Sequence, residues 1–397
     1  MKILYLHQYF NTPSEPGPTR SYWLAKELVD NNHSVTLISS KALENRKREE
    51  KIIDGIKVIY LNEDYDQKMS VFRRLKAFIK FVWKSISEAR KHNEIDLVVA
   101  TSTPLTIGIP ALYLKWFKRK PFVFEVRDLW PEVPIQMGAI KNSFLIKLTR
   151  LFEKIVYKNA LHVIALSPGM QKGVIKYIPV SKTTMIPNMA KKDEFWPRKK
   201  NMLIEKKLGL KSETFKLIHF GSLGIANGVE TILESAKLLK DDNSIEFLFV
   251  GGGATEDAMI NFCKNNQLYN VKFLGNYPMS ELSEIVNLSD ASIISFKDLP
   301  ILYTNSPNKL FDSLSAGKPI IVNSAGWTKD MVEKYKCGFY VNPNNPNDLV
   351  EKIKLLQNNL DKVNVMGENS RKLALTKYDK SILSKQFVGV IESLNIK

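Results

Sequence analysis

Three short stretches hold the residues best suited to chemistry. Positions 303–319 read Tyr-Thr-Asn-Ser-Pro-Asn-Lys-Leu-Phe-Asp-Ser-Leu-Ser-Ala-Gly-Lys-Pro. Thr304, Asn305, Ser306 and Asn308 are residue types that cap helices, and Pro307 suits a first turn. Leu310, Phe311 and Leu314 then give a short apolar stripe, which Gly317 and Pro319 end. A helix start bearing Lys309 offers free amides, partial positive charge and an ammonium, enough to hold a diphosphate. Asp312, one turn further in, has the reach for sugar hydroxyls. The same pattern fits a plain βαβ unit with a well-capped helix. The second stretch, Gly221-Ser222-Leu223-Gly224, follows an apolar run and makes a glycine-spaced turn in which backbone amides can face an anion. Tight strand–helix turns also favour glycine for its backbone freedom. The third, Arg127-Asp128, comes directly after the apolar run 122–126, where charged side chains point to a ligand crevice or brace a loop as an ion pair.

The elements that must position these residues repeat in order. An opening strand, a loop with Gly17, Thr19 and Arg20, and a helix from about residue 19 form a βαβ start, whose first loop is a usual ligand position. Strands are expected near 35–38, 56–61, 95–100, 122–126 and 161–166, with a charged loop over 41–51. Residues 190–201, lysine-rich and containing Pro197, are the best linker candidate. A second series of strands begins at 215. The fold expected is α/β, two doubly wound Rossmann-like domains facing across a cleft. They span residues 1–188, joined by a final helix over 380–397, and residues 189–379.

The segment Ser-Pro-Asn-Lys-Leu-Phe-Asp…Ala-Gly-Lys-Pro resembles the donor-binding helix of retaining glycosyltransferases of family 4, which have the GT-B fold. Where most of that family has two glutamates seven residues apart, this chain has Thr304 and Asp312. The Pro-Asn-Lys-x-x-Asp form, with Glu-Val-Arg-Asp-Leu-Trp-Pro-Glu at 125–132, resembles a subgroup of bacterial O-antigen and capsule enzymes that includes L-fucosamine transferases. The resemblance implies metal-independent transfer from a nucleotide-sugar such as UDP-N-acetyl-fucosamine, with no cofactor. The implied acceptor is an undecaprenyl-diphosphate-linked sugar at the inner membrane face. It further implies that Gly17, Thr19, Arg20, Gly221, Ser222, Gly224, Tyr277, Asn305, Ser306, Asn308, Lys309 and Asp312 bind the donor. In this scheme Asp128, with Arg127, orients or deprotonates the acceptor hydroxyl. Tyr277 lies in a segment like the one whose backbone meets the base. Ala226-Asn227 stand where many members have basic residues, which leaves Lys309 and Arg20 as the expected positive charges.

Composition agrees with an anionic partner. The 397 residues carry 58 Lys and Arg against 41 Asp and Glu, a formal charge of +17, which suits nucleic acid, anionic membrane or phosphorylated substrates. No nucleic-acid-binding motif is visible, so nucleic acid is not an expected partner. No Asp-x-Asp pair lies where it could hold a metal-bound diphosphate. No apolar run is long enough to cross a bilayer, no signal peptide is apparent, and two cysteines without metal-like spacing fit a reducing cytoplasm. Residues 71–86 form a basic amphipathic helix, its apolar side including Val71, Phe72, Phe78 and Trp83, its opposite side Lys76, Lys80 and Lys84, with Arg74 at the margin. It either packs wholly on the first domain or meets anionic headgroups, each cation then contributing about 1 kcal/mol. Trp116 marks a second aromatic-basic cluster. The location expected is cytoplasmic, peripheral on the inner face of the plasma membrane. A non-hydrolysing UDP-sugar epimerase of the same fold is the alternative enzyme reading.

Overall fold

The structure, a computed structural model, describes residues 1–15, 17–44, 46–64, 69 and 71–396; Pro16 of the first loop and the side chains of Val71, Phe72 and Arg74 lie outside the described residues. The chain divides into two compact units. Met1–Thr12, Pro18–Pro187 and Ser381–Lys397 form one, and Pro13–Gly17 with Asn188–Lys380 form the other.

The first unit holds an eight-stranded sheet in the order β3-β4-β2-β1-β5-β6-β7-β8. Its strands are β1 (Lys2–Leu6), β2 (Ser34–Lys41), β3 (Arg48–Ile53), β4 (Ile56–Asn62), β5 (Leu97–Thr101), β6 (Phe122–Val126), β7 (His162–Ala165) and β8 (Thr183–Met185). Its helices are α1 (Arg20–Asp30), α2 (Val71–Ala89), α3 (Gly108–Lys118), the short α4 (Glu132–Gln136), α5 (Ser143–Asn159) and α6 (Pro168–Val174), and the chain's last helix, Lys380–Ser393, joins this unit from Ser381 onward. The central strands are continuous runs of buried β-branched and aromatic residues, such as Leu-Val-Val-Ala-Thr in β5, as parallel strands covered on both faces require. Part of the expected 41–51 loop is instead β3, an antiparallel strand on β4. Its Arg-Glu-Glu-Lys sequence suits a sheet edge that must resist further pairing.

The second unit holds a six-stranded parallel sheet, β11-β10-β9-β12-β13-β14. These are β9 (Phe215–Phe220), β10 (Ile245–Val250), β11 (Val271–Gly275), β12 (Ala291–Ile294), β13 (Ile320–Val322) and β14 (Gly338–Tyr340). Helices α7 (Met202–Lys207), α8 (Glu230–Leu238), α9 (Glu256–Asn265), α10 (Met279–Leu288) and α11 (Asn308–Ser315) belong to this unit. One side of the sheet buries Leu217, Phe247, Phe249 and Ile293, the other Ile218, Phe220, Leu248 and Val250. Residues 190–201 are no free linker, because Ala190 bridges to Asp379 and Phe195 is buried in the second cluster. The two sheets, each with a switch in strand order beside its first strand, are Rossmann-like.

Candidate functional site

In the second unit the strand order reverses between β9 and β12, and ligands of such sheets bind outside the carboxyl ends of the strands flanking that switch. Strand β9 carries His219 there and runs into Gly221, whose φ of +97° favours glycine. Gly251, after β10, stands so near that a Cβ on it would lie 2.0 Å from the Gly221 carbonyl oxygen. Two glycine turns are thereby stacked at the sheet edge.

Helix α11 starts at Asn308 with Pro307 as its N-cap residue and no side-chain cap. The side-chain cap expected from Thr304, Asn305, Ser306 or Asn308 is therefore not formed. Thr304 donates its hydroxyl to the Ile301 carbonyl at 2.7 Å. Ser306 Oγ accepts from the Asn188 amide at 3.1 Å. The Leu310 amide already donates to the Pro307 carbonyl at 3.1 Å, which leaves those of Asn308 and Lys309 to face an incoming anion.

Lys309 in that first turn reaches back over Gly221. A Cβ at Gly221 would sit 3.6 Å from Lys309 Cε. Its Nζ lies 3.0 Å from His219 Nε2 and 3.3 Å from Asn227 Oδ1. His219 Nδ1 is 3.1 Å from the Ile293 carbonyl, which can only accept, so Nδ1 carries the proton and Nε2 offers its lone pair to the ammonium. Burial, and then the charge of Lys309, hold the His219 pKa well below the ordinary histidine value. Burial alone lowers Lys309 to about 7. A buried ammonium bonded only to neutral acceptors is poised to take an anion.

The other expected donor positions divide. Gly221 and Ser222 are exposed beside Lys309. The Gly224 carbonyl accepts from the Asn227 amide at 2.9 Å and closes the turn. Asn305 gives its carbonyl to Trp327 Nε1 at 2.6 Å and buries a side-chain oxygen without a hydrogen-bond partner. Tyr277 packs against the buried cluster that contains Met279. Asp312 departs from expectation. It is buried, with Oδ1 3.0 Å from Lys191 Nζ, so its carboxylate is paired inside the unit and not held open for hydroxyls. Burial raises it to about 6 despite Lys191.

In the first unit the order reverses at β1, between β2 and β5. Asp128, just past β6, accepts from Thr103 Oγ1 at 2.9 Å. Burial raises its pKa, against the Thr103 hydrogen bond and the Arg127 charge. The Arg127 amide donates to Ser102 Oγ at 3.0 Å, and its Nη1 lies 3.3 Å from His7 Nε2. The hydrogen bond to Asp128 thus comes from Thr103, while Arg127 turns toward His7. Arg20 corrects the expectation of a phosphate ligand. Its guanidinium is fully buried and paired with Glu125 at 2.9 Å, with Nη2 donating to the Ile186 carbonyl at 2.9 Å and Nη1 to that of Pro187. It ties the start of α1 to β6 and to the end of the unit. Thr19 is buried ahead of α1 without a side-chain cap bond, and Gly17 is exposed at φ +123°.

Trp83 is 69% exposed on α2, Lys76 is exposed and Phe78 half-buried. Lys84 departs from expectation, since it donates to the Asn62 carbonyl and to Glu63 Oε2 at 2.7 Å. Lys80 is 3.6 Å from the same carboxylate. Trp116 is 55% exposed on α3. His7, His219, Thr103 and the side chain of Asn227 were not singled out from the sequence. For the histidines a signal existed: each is a polar residue at the carboxyl end of an apolar strand, the rule that selected Arg127-Asp128.

The model for Glycosyltransferase Family 4 matches residues 19–193, and that for Glycosyl transferases group 1 matches residues 201–373. Between them the two models span most of the chain, which is a glycosyltransferase. The Probable glycosyltransferase WbjE of Pseudomonas aeruginosa is 23% identical to it over 277 residues, 68% of this chain and 67% of that one. The Bacillus subtilis glycosyltransferase TuaH, named for teichuronic acid biosynthesis, is 30% identical over 133 residues, spanning 32% of each chain. The solved structure of Anabaena Alr3699/HepE in complex with UDP and glucose superposes with a TM-score of 0.74 at 19% identity, covering 99% of this transferase and all of that chain. Likeness at that identity supports the GT-B fold, to which the two units of the transferase conform.

Proposed function

We propose that this transferase moves a sugar, with retention and without a metal ion, from a UDP-sugar to a lipid-linked sugar during assembly of a surface polysaccharide. The observation that carries the reading is Lys309, an ammonium with neutral partners only, set over the Gly221 turn at the uncapped start of α11. A nucleoside diphosphate supplies the missing negative charge, and the site stabilises that charge as it develops on departure of the sugar. The bond between the anomeric carbon and the phosphate oxygen breaks, and the acceptor oxygen bonds to that carbon. The acceptor proton passes to the departing phosphate or to Asp128, whose pKa burial moves upward, toward that of a useful base.

UDP in the HepE structure supports uracil as the base. The Asn308–Asp312 pattern and the 125–132 segment support UDP-N-acetyl-fucosamine, or a similar N-acetylated hexose, as donor and an undecaprenyl-diphosphate-linked sugar as acceptor. TuaH, by its name, supports polysaccharide assembly. Gly17 and Thr19 stay in this reading as backbone contributors to the donor site, whereas Arg20 leaves it. Asp312 holds Lys191 and the base of α11 in place. The basic residues of α2 attach the enzyme to the inner membrane face, where the acceptor resides; among the described residues no helix is long and apolar enough to cross a membrane.

The test is UDP release from a panel of UDP-sugars, with and without lipid-linked acceptor. Release that requires the acceptor supports the reading. Epimerisation of UDP-N-acetylglucosamine in the absence of any acceptor contradicts it.

A further inference from the structure

Helix α5 carries an apolar stripe that no described residue covers. Phe144 is 73% exposed, Leu148 51% and Leu151 52%. At 100° per residue these three and Lys158 fall within about 40° of one line along the helix. At 1.5 Å per residue that line is about 21 Å long. The opposite side of α5 is tightly packed: Val156 and Tyr157 are buried, and a Cβ on Gly108 would lie 2.6 Å from Val156 Cγ2. The stripe is therefore the outer face of a seated helix.

Helix α3 repeats the arrangement beside it. Trp116 and Phe117 are exposed, and Phe117 stacks on Tyr113 at 5.1 Å. Trp116 Nε1 donates to Asn159 Oδ1 at 3.3 Å and Lys115 Nζ to the Asn159 carbonyl, joining the ends of α3 and α5. At this junction lies a cavity of about 390 Å³ lined by Lys115, Arg119, Lys158 and Lys182 together with Asn395 and Ile396, and among the described residues no carboxylate lines it. Burial and the charge of Lys182 lower the Lys115 pKa. The carboxylates of α2, α3 and α5 are Glu88 and Glu153, both buried. Glu88 is already paired with Arg48 at 3.0 Å and Lys91 at 2.7 Å.

We infer that the outer faces of α3 and α5, with the cation-lined cavity at their junction, dock this transferase on an anionic phospholipid bilayer. Phe144, Leu148 and Leu151 enter the acyl boundary, and the cavity takes headgroup phosphate. An apolar stripe that ends in a cluster of four cations, with aromatics at the rim, suits a surface that is apolar inside and negative at its edge. The inference rests on the membrane attachment proposed above and moves its principal element from α2 to α5.

The experiment is flotation of the full chain with vesicles of phosphatidylcholine alone and of phosphatidylcholine mixed with phosphatidylglycerol. Wild type floats with the mixed vesicles and is released by high salt. Phe144→Ser/Leu148→Ser lowers the bound fraction about ten-fold, as expected on losing buried apolar contact. Lys158→Glu/Lys182→Glu abolishes the preference for phosphatidylglycerol. Unchanged melting temperatures show that the variants are folded. If the α5 variant floats like wild type while Ile79→Ser/Trp83→Ser, changed at two exposed apolar positions of α2, does not float, attachment through α2 stands and this inference falls. Wild type that floats with neither vesicle overturns both. Inorganic phosphate that stabilises wild type but not Lys158→Glu/Lys182→Glu, without flotation, makes the cavity a site for the free ion and also overturns docking.

Discussion

Lys309 Nζ sits 3.0 Å from His219 Nε2, with the histidine tautomer fixed from behind by the Ile293 carbonyl. A neutral histidine thus aims an ammonium without neutralising it. Replacing His219 by Phe removes the acceptor and keeps the ring. Loss of one hydrogen bond to a charged group costs about 1.5–3 kcal/mol, so UDP affinity falls about ten-fold or more. His219→Gln, which restores an acceptor, recovers part of it. Isothermal titration of UDP checks both.

The same burial makes diphosphate binding proton-linked. Lys309 is lowered to about 7 in the free protein, and a bound phosphate draws its pKa back up. Above pH 7 the free protein is therefore increasingly deprotonated at Lys309 while the complex stays protonated, and binding takes up a proton. UDP affinity should fall by up to about ten-fold per pH unit between pH 7 and 9. Titrations in buffers of different ionisation enthalpy read the proton uptake directly, and Lys309→Arg should flatten the profile. A wild-type affinity independent of pH in this window would exclude the linkage.

Arg20 and Glu125 form a pair with both side chains fully buried. Arg20→Ala leaves a buried carboxylate uncompensated and should cost about 3–5 kcal/mol, read by urea denaturation. UDP binding by the folded fraction should persist, because Arg20 is consumed within the first unit. Retained stability with lost UDP binding would return Arg20 to the donor site.

Gly251→Ala places a methyl group 2.0 Å from the Gly221 carbonyl oxygen at a φ of +130°. The two glycine turns must then move apart, at a cost of about 1–3 kcal/mol or more. UDP affinity should drop although residue 251 donates no side chain. Gly209→Ala, also at positive φ but with open space around it, should leave UDP binding intact.

Much of this was readable in the chain itself. The runs ending at Leu6, Val126 and Phe220 declare parallel strands, and the 303–319 segment marks a helix start with Lys309 on its first turn. Local pattern could not reveal partners distant in sequence. Arg20 looked like a phosphate ligand because Glu125 lies more than a hundred residues away, and Asp312 looked open because Lys191 lies in a stretch that reads as a linker. The exposed face of α5 had no mark in the sequence, because periodicity reports that an apolar face exists and is silent on whether anything covers it.

The most direct measurement is the thermal shift produced by UDP on wild type and on Lys309→Ala. UDP should raise the wild-type melting temperature, and the rise should vanish in the variant while the unliganded melting temperature stays close to wild type. A wild type indifferent to UDP, or a Lys309→Ala protein stabilised as strongly as wild type, would contradict the assignment of Lys309 as the group that holds the diphosphate.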